Sequence, residues 1–198
     1  PVFELISFNV KAGEILCVTG NNGSGKTSLI RMILGIIPYT RGNIIFDTIE
    51  ILQLSVNWIR GNISYMPQQP DFIDTSLLNN LIGSKKIDRE TMEKAIIESD
   101  LADFVNTHPQ GLQLNLNDNG NKLPLGIIKR IAFARSLLGD CQVFALDEPS
   151  EGLDTKGKIR FKEKILDLKA RGKTIIIATS DKELQALASK VIDLSQNY

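Results

Sequence analysis

An excess of charge of either sign is missing from this sequence. The 23 Lys and Arg residues stand against 23 Asp and Glu, so 198 residues carry a formal net charge of zero. A protein that holds nucleic acid by its phosphates needs clustered Lys and Arg, and the balance argues against a dedicated nucleic-acid binder. Histidine is nearly absent. His108 is the only one, in a Thr-His-Pro loop, and with just Cys17 and Cys141 beside it the chain has no Cys/His metal-ligand spacing. Each cysteine adjoins an apolar run and reads as a small core residue in a reducing compartment. Long hydrophobic runs are also lacking. No stretch approaches the ~20 apolar residues needed to cross a bilayer, and no secretory leader is visible. The sequence opens at Pro1 directly into the apolar segment Val2–Val10, which reads as part of a longer chain.

What is present is ordinary in amount and informative in order. The length suits one domain, or one domain with an inserted subdomain, and 42% hydrophobic residues can fill a core. Ile15–Thr19 reads as a buried strand ending at Gly20, followed by a helix from Gly25 to Leu34 that Gly35 and Pro38 close. Ile44–Phe46 and Ile63–Met66 are further strands. From Asp71 to Leu138 the periodicity is helical: Asp88 can cap a helix through Ser99, and Gly126–Leu138 places Ile127, Ile128, Ile131, Ala134 and Leu138 on one side. Then come a strand (Val143–Leu146), a helix (Lys156–Ala170), a strand (Thr174–Thr179), a helix (Asp181–Ala188) and a strand (Val191–Leu194). Continuous apolar strands alternating with helices predict a parallel sheet covered on both faces. The helical middle reads as an insertion into it.

The segment Gly20-Asn21-Asn22-Gly23-Ser24-Gly25-Lys26-Thr27 fits G-x-x-x-x-G-K-[ST]. Glycine lets the backbone curl until successive N–H groups point at phosphate oxygens. The following helix adds the positive end of its dipole. Lys26 supplies a full charge to the β- and γ-phosphates, and Thr27 a hydroxyl for Mg²⁺. By average residue usage the pattern arises by chance in roughly one chain in a hundred of this length, and here it follows a strand and opens a helix. Asn21, Asn22, Gly23, Ser24, Gly25, Lys26, Thr27 and Ser28 are therefore the expected nucleotide contacts. Val143-Phe144-Ala145-Leu146-Asp147-Glu148 is an apolar strand ending in two carboxylates. Alone, two such acids more often make a solvated turn. Beside a phosphate cradle, Asp147 is placed to hold Mg²⁺ and Glu148 to orient or deprotonate the attacking water.

With these residues in hand, the sequence resembles the ATP-binding cassette (ABC) ATPases from about Val2 to Leu194. Gly20–Thr27 matches their Walker A motif and Val143–Glu148 their Walker B motif. Gln68, in Tyr65-Met66-Pro67-Gln68, matches the Q-loop, which in the family touches the metal and reports to the transmembrane partner. Ser150-Glu151-Gly152-Leu153-Asp154 matches the D-loop, and Lys129–Arg135 the helix after the signature motif. Trp58–Arg60 with Thr75–Ile82, and Asn115–Lys122, resemble the exporter branch. The Ser150–Asp154 sequence and the signature variant resemble the ATPases of type I protein secretion. The resemblance implies a P-loop NTPase core, over residues 1–70 and 139–198, with an antiparallel β part and a helical subdomain over about 71–138. It also implies ATP and Mg²⁺ as cofactors, and Gln68 as a metal-side and catalytic residue. Implied partners are a second nucleotide-binding domain and a transmembrane domain on the same polypeptide, at the cytoplasmic face of the membrane.

Two segments depart from the family. Where it reads Leu-Ser-Gly-Gly-Gln, this chain has Leu123-Pro124-Leu125-Gly126-Ile127. In the family this segment reaches the γ-phosphate held by the other subunit of a dimer. Pro124 has no hydroxyl or N–H to offer, so contact through Pro124, Leu125 and Gly126 is reduced to the free N–H groups and dipole of a helix start. The family's D-loop acid matches Asp154. In Thr179-Ser180-Asp181, Ser180 replaces the histidine that contacts the γ-phosphate and the attacking water, which implies slower hydrolysis. The family stacks adenine on an aromatic carried on a strand before Val2, and Phe3 is too near the cradle to serve. Two readings besides an exporter motor stay open: an ABC-type ATPase outside transport, and a domain that binds ATP with little turnover.

Overall fold

Strands that are apolar from end to end are stable only where both faces are covered, and three of them form the middle of the sheet in this protein. The computed structural model describes residues 6–120 and 122–196, so Val2, Phe3 and Asn121 lie outside the described residues. In chain order the strands are β1 (Ile15–Thr19), β2 (Ile45–Phe46), β3 (Ile49–Glu50), β4 (Ile63–Met66), β5 (Val143–Asp147), β6 (Thr174–Ala178) and β7 (Lys190–Asp193). The helices are α1 (Lys26–Ile33), α2 (Val56–Asn62), α3 (Leu77–Ile82), α4 (Arg89–Glu98), α5 (Ala102–Thr107), α6 (Leu125–Leu137), α7 (Thr155–Ala170) and α8 (Lys182–Gln185).

Five strands pair in the order β4-β5-β6-β1-β7, every pair parallel. β1, β5 and β6 lie inside the sheet and are almost wholly buried, whereas β7 is an edge whose Val191 is half-exposed. Register follows from this burial. Ala145 pairs with Ile176 and Cys17 with Ile177, so apolar residues meet apolar residues along both inner seams. β2 and β3 form an antiparallel pair whose turn holds Asp47 at φ 55°, a conformation that aspartate tolerates better than most side chains.

The chain divides into two compact units. One runs through Gln68 and takes up Cys141–Glu148 and the chain from Leu166 onward; the other comprises Gln69–Asp140 and Pro149–Ile165. In the first, Leu16, Val18, Ala145, Ile176 and Ala178 of the sheet pack with Leu29, Ile30 and Ile33 of α1. In the second, Leu77, Leu81, Met92, Ile96, Leu101, Ile131 and Ala134 form a separate core.

Side-chain caps explain where the short helices start. Ser55 accepts from Trp58 N–H at the head of α2, Ser76 from Asn79 N–H at α3, and Asp88 from Thr91 N–H at α4. Sequence periodicity misses α2 and gives α3 and α5 no bounds within the helical stretch Asp71–Leu138, because six or seven residues hold too few repeats of an apolar face. α6 is buried on more sides than its periodicity predicts. Ala132 and Phe133 are buried along with Ile131 and Ala134, and Phe133 packs its ring 4.7 Å from that of Phe161. α8 is shorter than predicted, because after Gln185 the chain tightens to bonds from Leu187 N–H to Leu184 O and Ala188 N–H to Gln185 O.

The topology has one consequence for function. In a parallel sheet all strands end on one side, and ligands bind outside those carboxyl ends. The segments that follow β4, β5, β6 and β1, four neighbouring strands, begin with residues close to Gln68, Glu148, Thr179 and Gly20.

Candidate nucleotide-binding site

The loop after β1 depends on glycine. Gly20, Gly23 and Gly25 have φ of 144°, 83° and 97°, a region other residues seldom enter. A Cβ on Gly20 would stand 2.5 Å from Ser24 Oγ, so the turn also lacks room for one. Gly25 is the N-cap of α1 and no side chain caps this helix. Its first N–H groups thus have no side-chain acceptor, as suits an anion site. The Ser24 hydroxyl is buried and has no hydrogen-bond partner among the described residues. Asn21 N–H donates to Ser195 Oγ at 3.1 Å, which ties the start of the loop to the segment after β7.

Lys26 is 7% exposed and lies along the loop, donating to Gly20 O at 2.8 Å and Asn21 O at 3.2 Å. Its ammonium is 3.8 Å from Glu148 Oε1. Glu148 follows β5 with φ 42°, a left-handed backbone that costs about 1–3 kcal/mol for a residue with a side chain. The conformation is anchored by Glu148 N–H donating to Ala178 O at 2.8 Å. Glu148 Oε2 accepts from the Thr179 hydroxyl at 3.2 Å and from Ser180 N–H at 3.3 Å. Burial, reinforced by the charge of Glu148, pushes the Cys17 thiol up to about 12. Cys17 is therefore a protonated, inert neighbour of the site.

Asp147, the last residue of β5, is fully buried. Thr27 in α1 and Gln68 after β4 are half-buried, and Asn21, Asn22 and Gly23 are exposed. Thr27, Asp147 and Gln68 carry hydroxyl, carboxylate and amide oxygens, a donor set that suits a hard cation such as Mg²⁺ sharing its other ligands with phosphates and water. Ser28 lies in the first turn of α1. Lys26 is thus joined to Gly20, Asn21 and Glu148, and Glu148 in turn to Ser180. Thr179, which periodicity reads as the tail of a strand, is the residue the sequence did not single out. The missed signal is a hydroxyl side chain immediately after an apolar run, before an Asp-capped helix.

Pro124, Leu125, Gly126 and Asp154 belong to the second unit. Pro124 is the N-cap of α6 rather than a residue of its first turn, with ψ 142°, and its carbonyl accepts from Ile127 and Ile128 N–H. A Cβ on Gly126 would meet Gly152 O at 2.9 Å, and Leu125 lies directly over Gly152. Lys129 pairs with Glu151 at 3.6 Å and Arg130 with Asp154 at 3.2 Å, and Asp154 also accepts from Gly157 N–H. The start of α6 is thereby fastened to the loop Pro149–Asp154.

A glycine-built loop between a parallel strand and a helix, with the buried Asp147 and half-buried Glu148 at the end of β5 in the same sheet, defines a P-loop nucleotide-binding domain. A family model described as ABC transporter matches residues 3–151, and the chain belongs to that family. It is an ABC nucleotide-binding domain homologous to the ATP-binding part of export proteins. It is 31% identical over 174 residues to a beta-(1-->2)glucan export ATP-binding/permease protein, NdvA, of Rhizobium johnstonii, covering 87% of this chain and 30% of that protein. It is 32% identical over 195 residues to ATP-dependent lipid A-core flippase 1 of Colwellia psychrerythraea, covering 96% of this chain and 32% of that one. The chain thus spans about a third of the length of these relatives. In fold it matches a bacterial Atm1-family ABC exporter solved with ATP bound, with a TM-score of 0.92 and 23% identity over 98% of this chain and 35% of that one. Among the described residues no helix is long and apolar enough to cross a membrane.

Proposed function

We propose that this chain is the motor domain of an exporter, binding MgATP on Gly20–Thr27 and hydrolysing it with Glu148 as general base. The observation that carries this reading is the placement of Glu148, turned by a left-handed backbone toward Thr179, Ser180 and the Lys26 ammonium. Main-chain N–H groups at the start of α1 and the Lys26 charge hold the triphosphate. Glu148 takes a proton from water as the water oxygen bonds to the γ-phosphorus and the bond to ADP breaks. Thr27, Asp147 and Gln68 would hold Mg²⁺, which would neutralise charge on the phosphates. Through the motifs at Pro124–Gly126 and Asp154, two such domains close on ATP and reopen after hydrolysis. That motion drives a transmembrane domain at the cytoplasmic face of the membrane. The export relatives, each about three times as long as this chain, support that setting.

Binding is tested by thermal unfolding. MgATP at ~100 times its Kd stabilises the fold by about 2.7 kcal/mol, a rise in Tm of roughly 5–10 °C for a domain of this size. An unchanged Tm contradicts ATP binding. The exposed Ser180 sets the second test. Ser180→His restores a chargeable donor beside the γ-phosphate and is expected to raise turnover on the order of tenfold, read as phosphate release at saturating MgATP. A rate equal to or below that of the parent removes the argument that Ser180 limits hydrolysis.

A further inference from the structure

We propose that Thr179 is the positioning residue for Glu148, fixing which carboxylate oxygen accepts the proton in a site that lacks a histidine at position 180. The inference rests on Glu148 being the general base.

Thr179 is fully buried just after β6, and its N–H donates to Val18 O at 2.9 Å, so its backbone is held to β1. A threonine hydroxyl has one proton to give and lone pairs to accept with. Here the oxygen accepts from Asp181 N–H at 3.0 Å. That bond orients the hydroxyl and leaves its proton for Glu148 Oε2 at 3.2 Å. The β-branched side chain has few rotamers, so the hydroxyl is not free to swing away. Gln185 reinforces the corner from below, donating to Thr19 Oγ1 at 2.9 Å and to Thr179 O at 3.4 Å.

Ser180 N–H gives Oε2 a second donor at 3.3 Å. The two oxygens of Glu148 are therefore unlike. Oε2 is held by two neutral donors from the chain after β6, while Oε1 faces the Lys26 ammonium at 3.8 Å, on the side of the phosphate loop. Oε1 is the oxygen presented to water at the γ-phosphate, and Oε2 is the hinge pin. The main chain at position 180 and the hydroxyl at 179 do the holding, which needs no particular side chain at 180.

Valine has the shape of threonine without the hydroxyl, so Thr179→Val tests the bond. Turnover at saturating MgATP is expected to fall about tenfold with KM and the Kd for MgATP within twofold, because the lost contact orients the base and does not hold nucleotide. Thr179→Ser, which keeps the hydroxyl, restores most of the rate. In a Glu148→Gln background Thr179→Val brings no further fall, as required of a residue acting through Glu148. Should valine not be accommodated, Thr179→Ala reads the same split. A parent-like kcat in both Thr179→Val and Thr179→Ala, a serine variant as slow as valine, or an equal fall in the Glu148→Gln background overturns the positioning role and leaves Glu148 as base intact. A Glu148→Gln protein that turns over like the parent overturns both.

Discussion

Replacing Lys26 by alanine is expected to weaken MgATP binding on the order of a hundredfold or more. Two features of the site set that size. The ammonium is 7% exposed and already lies along the loop, held by Gly20 O and Asn21 O, so little side-chain entropy remains to be lost when phosphate arrives. Hydrogen bonds from a charged donor contribute about 1.5–3 kcal/mol each, and an ammonium shared between two phosphates makes at least two. Their sum, about 3–6 kcal/mol, corresponds to roughly 10²–10⁴ in Kd. The loop itself persists in the variant, because its shape comes from Gly20, Gly23 and Gly25 and from the packing of Leu29, Ile30 and Ile33. Titration of MgATP by calorimetry measures the loss directly, with circular dichroism as the check on folding. A folded Lys26→Ala protein with the parent's Kd refutes the phosphate cradle.

Glu148→Gln separates binding from chemistry. Glutamine keeps the length of glutamate and an acceptor oxygen for Thr179 and Ser180, but it cannot take a proton from water. Loss of a general base costs typically 10²–10⁴ in rate, so turnover is expected to fall by at least a hundredfold. MgATP affinity changes no more than a few-fold, and ATP-bound material accumulates. Single-turnover hydrolysis with equilibrium binding on the same sample reads both. Parent and variant sharing one near-zero rate would instead support the reading in which this domain binds ATP without turning it over. The departures at Pro124 and Ser180 motivate that reading.

Most of the phosphate site was legible because its determinants are local. A backbone with φ above zero favours glycine largely whatever surrounds it, and Lys26 and Thr27 follow the last glycine directly, in the first turn of α1. The inner strands were legible because full burial calls for apolar runs: β1 and β4 agree with their predicted bounds, β5 and β6 differ by a residue at one end, and the edge strand β7 is shifted by one residue at both ends. Less was legible elsewhere. α2 is too short for periodicity to register, and α3 and α5 too short for it to bound within the helical stretch 71–138. Pro124 belongs just before α6 and not inside it, since proline suits an extended N-cap as well as a first turn. Thr179 looked like the end of a strand because nothing in its neighbours along the chain announces a partner 31 residues upstream.

The sequence by itself determined the curl of residues 20–25, the lysine and hydroxyl that follow, and the carboxylates that end a buried strand. Each depends on backbone sterics or burial over a few residues. Only the tertiary structure decided that β4, β5, β6 and β1 stand side by side in that order, bringing Lys26, Glu148, Thr179 and Ser180 within contact. Parallel pairing joins segments distant in the chain, setting Ile15 beside Ile175 and Ile63 beside Val143. Which strands become neighbours is settled by packing both faces of the whole sheet, a condition that no single stretch of the chain contains.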